Sequence, residues 1–163
     1  MRDFNECRPY IEHLISEHRR LHRLLRQARV SIVQSGGPDG DVSFADVARV
    51  LQNLRGELEH HFAEEEAGGC LDEAVSRCPN LSAELRRIET EHPKLLAAVD
   101  RLIAQARRCD CNAHDRIALN LAFECLCRQL AEHEVAENKV LKQGFGTNLN
   151  GDENGHPALT MDI

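Results

Sequence analysis

The chain has 163 residues, 42% of them apolar, which is enough for one domain with its own core. Its net charge of -7, without a basic cluster interleaved with aromatic residues, argues against nucleic acid as a partner. It contains no apolar run long enough to span a membrane, and its charged start (Arg2, Asp3, Glu6) is unlike a secretory signal, so we expect a cytoplasmic protein. The low aromatic content of 4% and the abundance of Leu, Ala, Glu and Arg predict an all-α fold.

The first predicted helix runs from about residue 10 to residue 34. Apolar residues and histidines recur along it at alternating spacings of three and four, so a helix places them on one face. These residues are Ile11, Leu14, Ile15, His18, Leu21, His22, Leu25 and Ile32. The glycine- and proline-containing segment 35–40 is predicted to end the helix in a loop.

The second predicted helix begins after Ser43, whose hydroxyl suits an N-cap. Its apolar stripe also ends in two polar residues. The stripe consists of Val47, Leu51, Leu54, Leu58, His61 and Glu65. Gly68 and Gly69 are predicted to end this helix.

A short irregular or helical connection through Cys78 and Pro79 leads to Asn80 or Ser82, either of which is predicted to cap the third helix. The stripe of this helix is Leu81, Leu85, Ile88, His92, Leu95, Val99, Leu102 and Ala106. Pro93 lacks a backbone donor, so we expect a kink or a restart of the helix beside His92.

The fourth predicted helix follows a loop over residues 108–113 and ends at Gly144 and Gly146. Its stripe is Leu119, Phe123, Leu126, Leu130, His133, Glu137 and Leu141. Four amphipathic helices with loops of modest length predict an antiparallel up-down-up-down four-helix bundle over residues 1–142. Residues 143–163 are predicted to form an irregular C-terminal tail, because the segment has no periodicity.

Seven cysteines are an odd number for a disulfide framework, and reduced thiols are expected. Cys125 and Cys127 lie two positions apart in a predicted helix and therefore point about 200° apart, which disfavours chelation of zinc. Cys109 and Cys111 lie in a loop, where chelation is possible. Small packing residues and surface thiols are the simpler interpretation.

Six side chains able to bind metals lie on these apolar stripes: His18, His61, Glu65, His92, His133 and Glu137. Buried imidazoles and carboxylates are costly unless they are paired or ligated. A spacing of four residues puts His61 with Glu65, and His133 with Glu137, on adjacent turns of one helix face. Four nitrogen donors and two carboxylates fit two non-haem iron ions, although Zn or Mn accepts the same donors.

Two further His-x-x-x-Glu pairs, His13 with Glu17 and His60 with Glu64, match the same spacing. In a chain so rich in glutamate this motif alone is weak. Both pairs are rotated by about 100° from the apolar stripes, and helical phase therefore excludes them from the predicted site.

The ordered set of His18, His61-Phe62-Ala63-Glu64-Glu65, Glu91-His92 and His133-x-x-x-Glu137 resembles the hemerythrin-like, or HHE cation-binding, family. The resemblance covers roughly residues 10–142. It implies a carboxylate-bridged di-iron centre that binds dioxygen or a related small ligand such as peroxide or nitric oxide. It also implies terminal ligands at the four histidines and bridging ligands at Glu65 and Glu137.

The sequence departs from the oxygen-carrier branch of that family. That branch has two histidines four residues apart on its third helix, whereas Ile88 and Leu96 flank His92 here. Its last carboxylate is an Asp five residues after the histidine, whereas Glu137 follows His133 by four. His22 is a candidate replacement for the missing histidine, and its alternative role is to hydrogen-bond a ligand. Tyr10 and Glu91 are further candidates to complete the site.

Three functions are compatible with this pattern. The first is a protein that binds or senses dioxygen or a related redox ligand, for which signalling would require a protein partner. The second is a di-iron redox enzyme that reduces peroxide or nitric oxide, or an iron-handling protein that donates iron. The third is a helical interaction module with a structural metal, which an open ligand set disfavours. A bundle with satisfied polar residues and no metal is the simplest alternative.

Overall fold

A computed structural model describes residues 4–36, 42–109 and 113–146. It contains five α-helices: α1 (Phe4–Gln34), α2 (Phe44–Gly68), α3 (Cys70–Arg77), α4 (Ser82–Arg108) and α5 (Ala113–Phe145). A 3-10 turn, Pro79–Leu81, precedes α4. No β-strand occurs in these ranges. The predicted all-α class is therefore confirmed, while residues 147–163 of the predicted tail lie outside the described part.

The four long helices pack in a closed ring. Helix α2 contacts α1 and α4, and α5 contacts the same two helices from the other side. The short helix α3 packs mainly against α5. This arrangement is compatible with the predicted four-helix bundle, and the antiparallel direction of the helices stays a prediction.

Helix α2 begins and ends at the predicted residues. The Ser43 hydroxyl accepts a hydrogen bond from the Asp46 backbone N–H at 3.1 Å, and the Asp46 carboxylate accepts one from the Ser43 N–H at 3.2 Å. This reciprocal pair is a capping box. Gly69 adopts a left-handed conformation with φ of 70°, which ends the helix at Gly68.

The predicted cap of α4, Asn80 or Ser82, was wrong. Asn80 lies inside the preceding 3-10 turn. Ser82 is the first helical residue rather than the cap, and its hydroxyl donates to the Pro79 carbonyl at 2.6 Å. Leu81 occupies the N-cap position and makes no side-chain cap bond. The preceding 3-10 turn bonds the entering backbone instead, through Leu81 N–H and the Cys78 carbonyl at 2.9 Å.

Pro93 does not restart the third predicted helix, because α4 is continuous from Ser82 to Arg108. The proline is exposed, and the residue before it, His92, is buried. The alternative of a kink at this point stays a prediction. Helical backbone on both sides of Pro93 keeps His92 in phase with the rest of its stripe.

Helix α5 ends at Phe145, between the two glycines that were predicted to end it. Gly146, with φ of 67°, follows it, whereas Gly144 lies inside the helix. A Cβ atom added at Gly144 would come within 2.4 Å of the Ala74 Cβ and 2.5 Å of its Cα. Glycine fits at position 144 because α3 and α5 approach each other too closely there for a side chain.

The apolar core consists of two clusters. The larger cluster involves α1, α2, α4 and α5 and includes Leu25, Leu51, Leu54, Val99 and Phe123. The smaller cluster involves α3 as well and includes Leu14, Leu71, Ile88, Ala136 and Val140. Both clusters exclude the buried histidines and glutamates. None of the helices in the described part of the chain combines the length and apolarity that a membrane span requires.

Candidate metal centre

A buried polar cluster lies within the helix ring. Each of its members is at most 5% exposed to solvent. The members are His18 on α1, His61 and Glu65 on α2, His92 on α4, and His133 and Glu137 on α5. The structure thus brings together all six side chains that the sequence predicts as ligands, because each apolar stripe faces the interior of the helix ring.

The six residues form two overlapping groups of possible metal ligands. The first contains His18, His61, Glu65 and Glu137, and the second contains Glu65, His92, His133 and Glu137. Within each group, one donor atom from every residue lies within 4.8 Å of the others. The two carboxylates belong to both groups, whereas each histidine belongs to one.

Glu65 directs its two oxygens towards different groups. Its Oε1 lies 3.3 Å from His61 Nε2, and its Oε2 lies 3.3 Å from His92 Nε2. A carboxylate whose two oxygens face different ligand groups has the geometry of a possible bridging ligand.

Glu137 has the same relationship to the other two histidines. Its Oε2 lies 3.3 Å from His18 Nε2, and its Oε1 lies 2.6 Å from His133 Nε2. Both shared carboxylates therefore connect one histidine of the first group with one histidine of the second.

Several atoms that face the centre of this cluster are buried and make no hydrogen bond of good geometry, although some of them lie close to one another. They are both carboxylate oxygens of Glu65, both of Glu137, and Nε2 of His92 and of His133. Such groups are costly in a protein interior unless they are ligated. The donor set of imidazole nitrogens and carboxylate oxygens fits an iron ion, and equally other first-row metals.

The electrostatics of the two shared carboxylates differ. Burial and the neighbouring charge of Glu137 raise the pKa of Glu65 to about 7. Burial would also raise the pKa of Glu137, but the imidazoles of His133 and His18 hold it below its ordinary value. Without a metal ion, the cluster therefore depends on protonated histidines for compensating positive charge.

A second set of carboxylates surrounds the six residues, one behind each histidine. Each lies near the Nδ1 atom of its histidine, on the side away from the cluster centre. The pairs are His18 with Glu134 at 3.3 Å, His61 with Glu17 at 3.2 Å, His92 with Glu66 at 2.9 Å, and His133 with Glu91 at 3.0 Å. A carboxylate at Nδ1 fixes the orientation of the ring and directs Nε2 towards a metal.

These outer carboxylates connect the helices in a cycle. Glu17 of α1 contacts His61 of α2, and Glu66 of α2 contacts His92 of α4. Glu91 of α4 contacts His133 of α5, and Glu134 of α5 returns to His18 of α1. Each helix therefore orients the histidine of the next helix in the ring.

The sequence profile of the hemerythrin HHE cation binding domain matches residues 10–143. The chain belongs to this family. The match covers all four helices that supply the buried cluster. Searches of curated proteins and of solved structures gave no significant match. The predicted resemblance is confirmed, and the family match together with the buried His/Glu groups indicates a metal-binding site.

Of the further residues considered for the site, neither His22 nor Tyr10 belongs to the two ligand groups. His22 Nε2 lies 2.8 Å from Glu134 and so contacts the carboxylate behind His18. Burial would raise the pKa of Glu134, but the two histidines lower it to about 2. Tyr10 donates a long hydrogen bond of 3.5 Å to the Glu64 carbonyl. These geometries favour the interpretation of His22 as a supporting residue.

Sequence analysis missed Glu17, Glu66 and Glu134 as functional residues and considered Glu91 only as a direct ligand. A signal for them exists, because each is the chain neighbour of a predicted ligand: Glu17 precedes His18, Glu66 follows Glu65, and Glu134 follows His133. Adjacent acidic residues point away from the stripe of their own helix and towards the neighbouring helix.

A cavity of about 30 Å³ adjoins the centre of this hemerythrin-family domain. Its polar wall consists of His18, His22, His61, His133, Glu134 and Glu137, and its apolar wall includes Leu21, Leu25, Leu58, Phe62 and Leu130. A water molecule needs roughly 10–15 Å³ of such space. The cavity is therefore large enough for a small ion or a ligand of a few atoms.

Proposed function

We propose that this hemerythrin-family domain, folded as an antiparallel four-helix bundle, binds two iron ions and uses them to bind or sense dioxygen or a related small redox ligand. The supporting observation is that two ligand groups share Glu65 and Glu137. His18 and His61 would hold one ion, and His92 and His133 the other. Both carboxylates would contact both ions.

Bound iron would supply the redox chemistry and the positions at which a small ligand coordinates. The chain supplies orientation, because an outer carboxylate that accepts a hydrogen bond from Nδ1–H leaves Nε2 of the same histidine available to metal. It also excludes water, since the six inner side chains are buried. The adjoining cavity of about 30 Å³ supports a ligand of two or three atoms.

A second candidate is a redox enzyme that reduces peroxide or nitric oxide, or an iron-donating protein. The observation in its favour is that both ligand groups contain two histidines and two carboxylates. Reversible oxygen carriage relies on one saturated and one open iron, and this balanced ligand set lacks that asymmetry. We therefore rank both ligand sensing and redox turnover above reversible oxygen transport.

Anaerobic loading with ferrous iron, followed by exposure to dioxygen with absorbance recorded, tests both candidates. We expect about two irons per chain after desalting. A visible band that reverses when dioxygen is removed supports binding, whereas one-way oxidation with consumption of added peroxide or nitric oxide supports an enzyme. A desalted protein without iron would contradict both.

Neighbouring residues provide matched variants. His61→Ala and Glu137→Ala should remove iron from the buried centre, because each deletes a donor atom of a ligand group. His60→Ala and Glu64→Ala should leave the iron retained after desalting unchanged, since neither residue belongs to the buried groups. Equal loss from both sets would show that the ligand assignment is wrong.

A further inference from the structure

The two His-x-x-x-Glu pairs that helical phase excludes from the buried centre meet at the surface between α1 and α2. His13 and Glu17 lie on α1, and His60 and Glu64 lie on α2. Both histidines are more than half exposed, whereas Glu17 is only 14% exposed. The four residues form what we call the surface cluster.

The imidazoles of the surface cluster face both carboxylates. His13 Nε2 lies 3.1 Å from Glu64 Oε2 and 3.6 Å from Glu17 Oε1. His60 Nε2 lies 3.8 Å from Glu17 Oε1 and 3.8 Å from Glu64 Oε1. Donor atoms of His13, Glu17 and Glu64 all lie within 4.8 Å of one another, a spacing that one metal ion can occupy, whereas His60 lies beside this group of three.

The donor types point to one class of ion. Two imidazoles and two carboxylates suit divalent first-row transition metals, whereas Ca²⁺ and Mg²⁺ prefer oxygen ligands alone. The two carboxylates carry negative charge that a divalent cation would neutralise. Each histidine has an i+4 carboxylate on its own helix, so both helices present ready pairs of donors.

Glu17 connects the surface cluster with the buried centre. Its Oε1 faces His13 and His60, while its Oε2 lies 3.2 Å from His61 Nδ1. One oxygen can therefore bind an ion at the surface while the other keeps its contact with His61. A cation on Glu17 would withdraw electron density from the carboxylate that orients His61.

We propose that His13, Glu17 and Glu64, with His60 adjoining them, form a second metal site, which binds a divalent transition metal ion at the surface and is coupled to the buried centre through Glu17. This site goes beyond the proposed function, because none of its four residues belongs to the buried ligand groups. Its exposure predicts weaker and more rapidly reversible binding than that of the buried ions.

Titration of the iron-loaded, desalted protein with Zn²⁺ tests the proposal. Calorimetry and metal analysis should show one additional equivalent of Zn²⁺ on the wild type. The double variant His13→Ala/His60→Ala should lose this equivalent. The variant His114→Ala, which removes an exposed histidine on α5 away from the surface cluster, should retain it. All three proteins should keep the same buried iron, because the three altered histidines are all exposed.

If the wild type binds no additional Zn²⁺, or if the double variant binds the same additional equivalent of Zn²⁺, the proposed surface site is wrong. A visible spectrum of the iron centre that stays unchanged when Zn²⁺ binds would overturn the coupling through Glu17. The difference of one equivalent between wild type and double variant is expected whether or not the buried centre holds iron. Failure of this proposal is therefore distinguishable from failure of the proposed function.

Discussion

The carboxylate of Glu91 lies 3.0 Å from Nδ1 of His133, although the two residues belong to different helices. Because this contact fixes the His133 ring, we expect Glu91→Ala to lower the affinity of the buried centre for iron by about 10- to 100-fold. Competition with a chelator measures the change. Glu89→Ala, an exposed glutamate on the same helix, is the control. Equal affinities of the two variants would contradict an orienting role of Glu91.

Metal uptake should release protons at neutral pH. Burial would lower the pKa of His18, but its contacts with Glu134 and Glu137 raise it to about 10. Burial would also lower the pKa of His133, but its contacts with Glu137 and Glu91 raise that pKa to about 8. Since a metal ligand must be a neutral imidazole, affinity should rise with pH between about 6 and 10. Calorimetry in buffers of different ionisation enthalpy counts the released protons, and uptake without release would disprove the argument.

The metal-free protein should respond to pH in the opposite sense. A raised histidine pKa stabilises the folded state fully below the ordinary value of 6.5, and this contribution is lost as pH rises towards about 10. The free energy of unfolding of the metal-free protein should therefore fall across this interval. Denaturant titrations at several pH values measure it. Constant stability would show that the imidazolium of His18 does not support the metal-free fold.

Gly144→Ala should destabilise the protein by about 1–3 kcal/mol, because the added methyl overlaps Ala74 on the short helix α3. Gly56→Ala is the matched control. No atom lies within 4 Å of a Cβ at that exposed helical position, so alanine there should stabilise by about 0.5–1 kcal/mol. Thermal or denaturant unfolding compares the two variants. Opposite signs are expected, and a stabilising Gly144→Ala would contradict the close approach of α3 and α5.

Phe62 stacks on His92 at a ring-centroid distance of 4.2 Å and forms part of the cavity wall. Phe62→Ala should cost about 3–5 kcal/mol of stability and speed the entry of azide to the iron-loaded centre. Phe44→Ala removes an equally buried ring at the start of α2, away from the cavity. It should cost similar stability and leave azide entry unchanged in stopped-flow measurements. Equal entry rates for both variants would exclude Phe62 as a barrier.

The sequence is informative where a pattern repeats within one helix. His61 and Glu65 could be separated from His60 and Glu64 because the former continue the Leu51, Leu54 and Leu58 stripe, and only the former are buried. The N-cap at Ser43 could also be predicted from the sequence, because its bonding partner Asp46 lies only three residues away.

Contacts between helices could not be read in this way. Glu17 and His61 are far apart in the chain, and nothing in the periodicity of α1 indicates which side chain of α2 lies opposite Glu17. The same limitation applies to the surface cluster, whose two pairs appear as separate motifs until α1 and α2 are packed. At Ser82 the sequence predicted a cap. In the structure the Ser82 hydroxyl donates to the Pro79 carbonyl instead, and the Leu81 N–H bonds to the Cys78 carbonyl in the preceding turn.

The cycle of outer carboxylates has a consequence for the register of the bundle. Each of these glutamates is adjacent in the chain to a buried ligand of its own helix, so sliding or rotating one helix by a single residue displaces both. Such a shift would leave an imidazole of the next helix without its carboxylate and, at the same time, bury an uncompensated charge. Each displaced helix would therefore destabilise a misaligned packing through both effects. The residues suited to hold metal also discriminate against incorrectly packed alternatives of the same four helices.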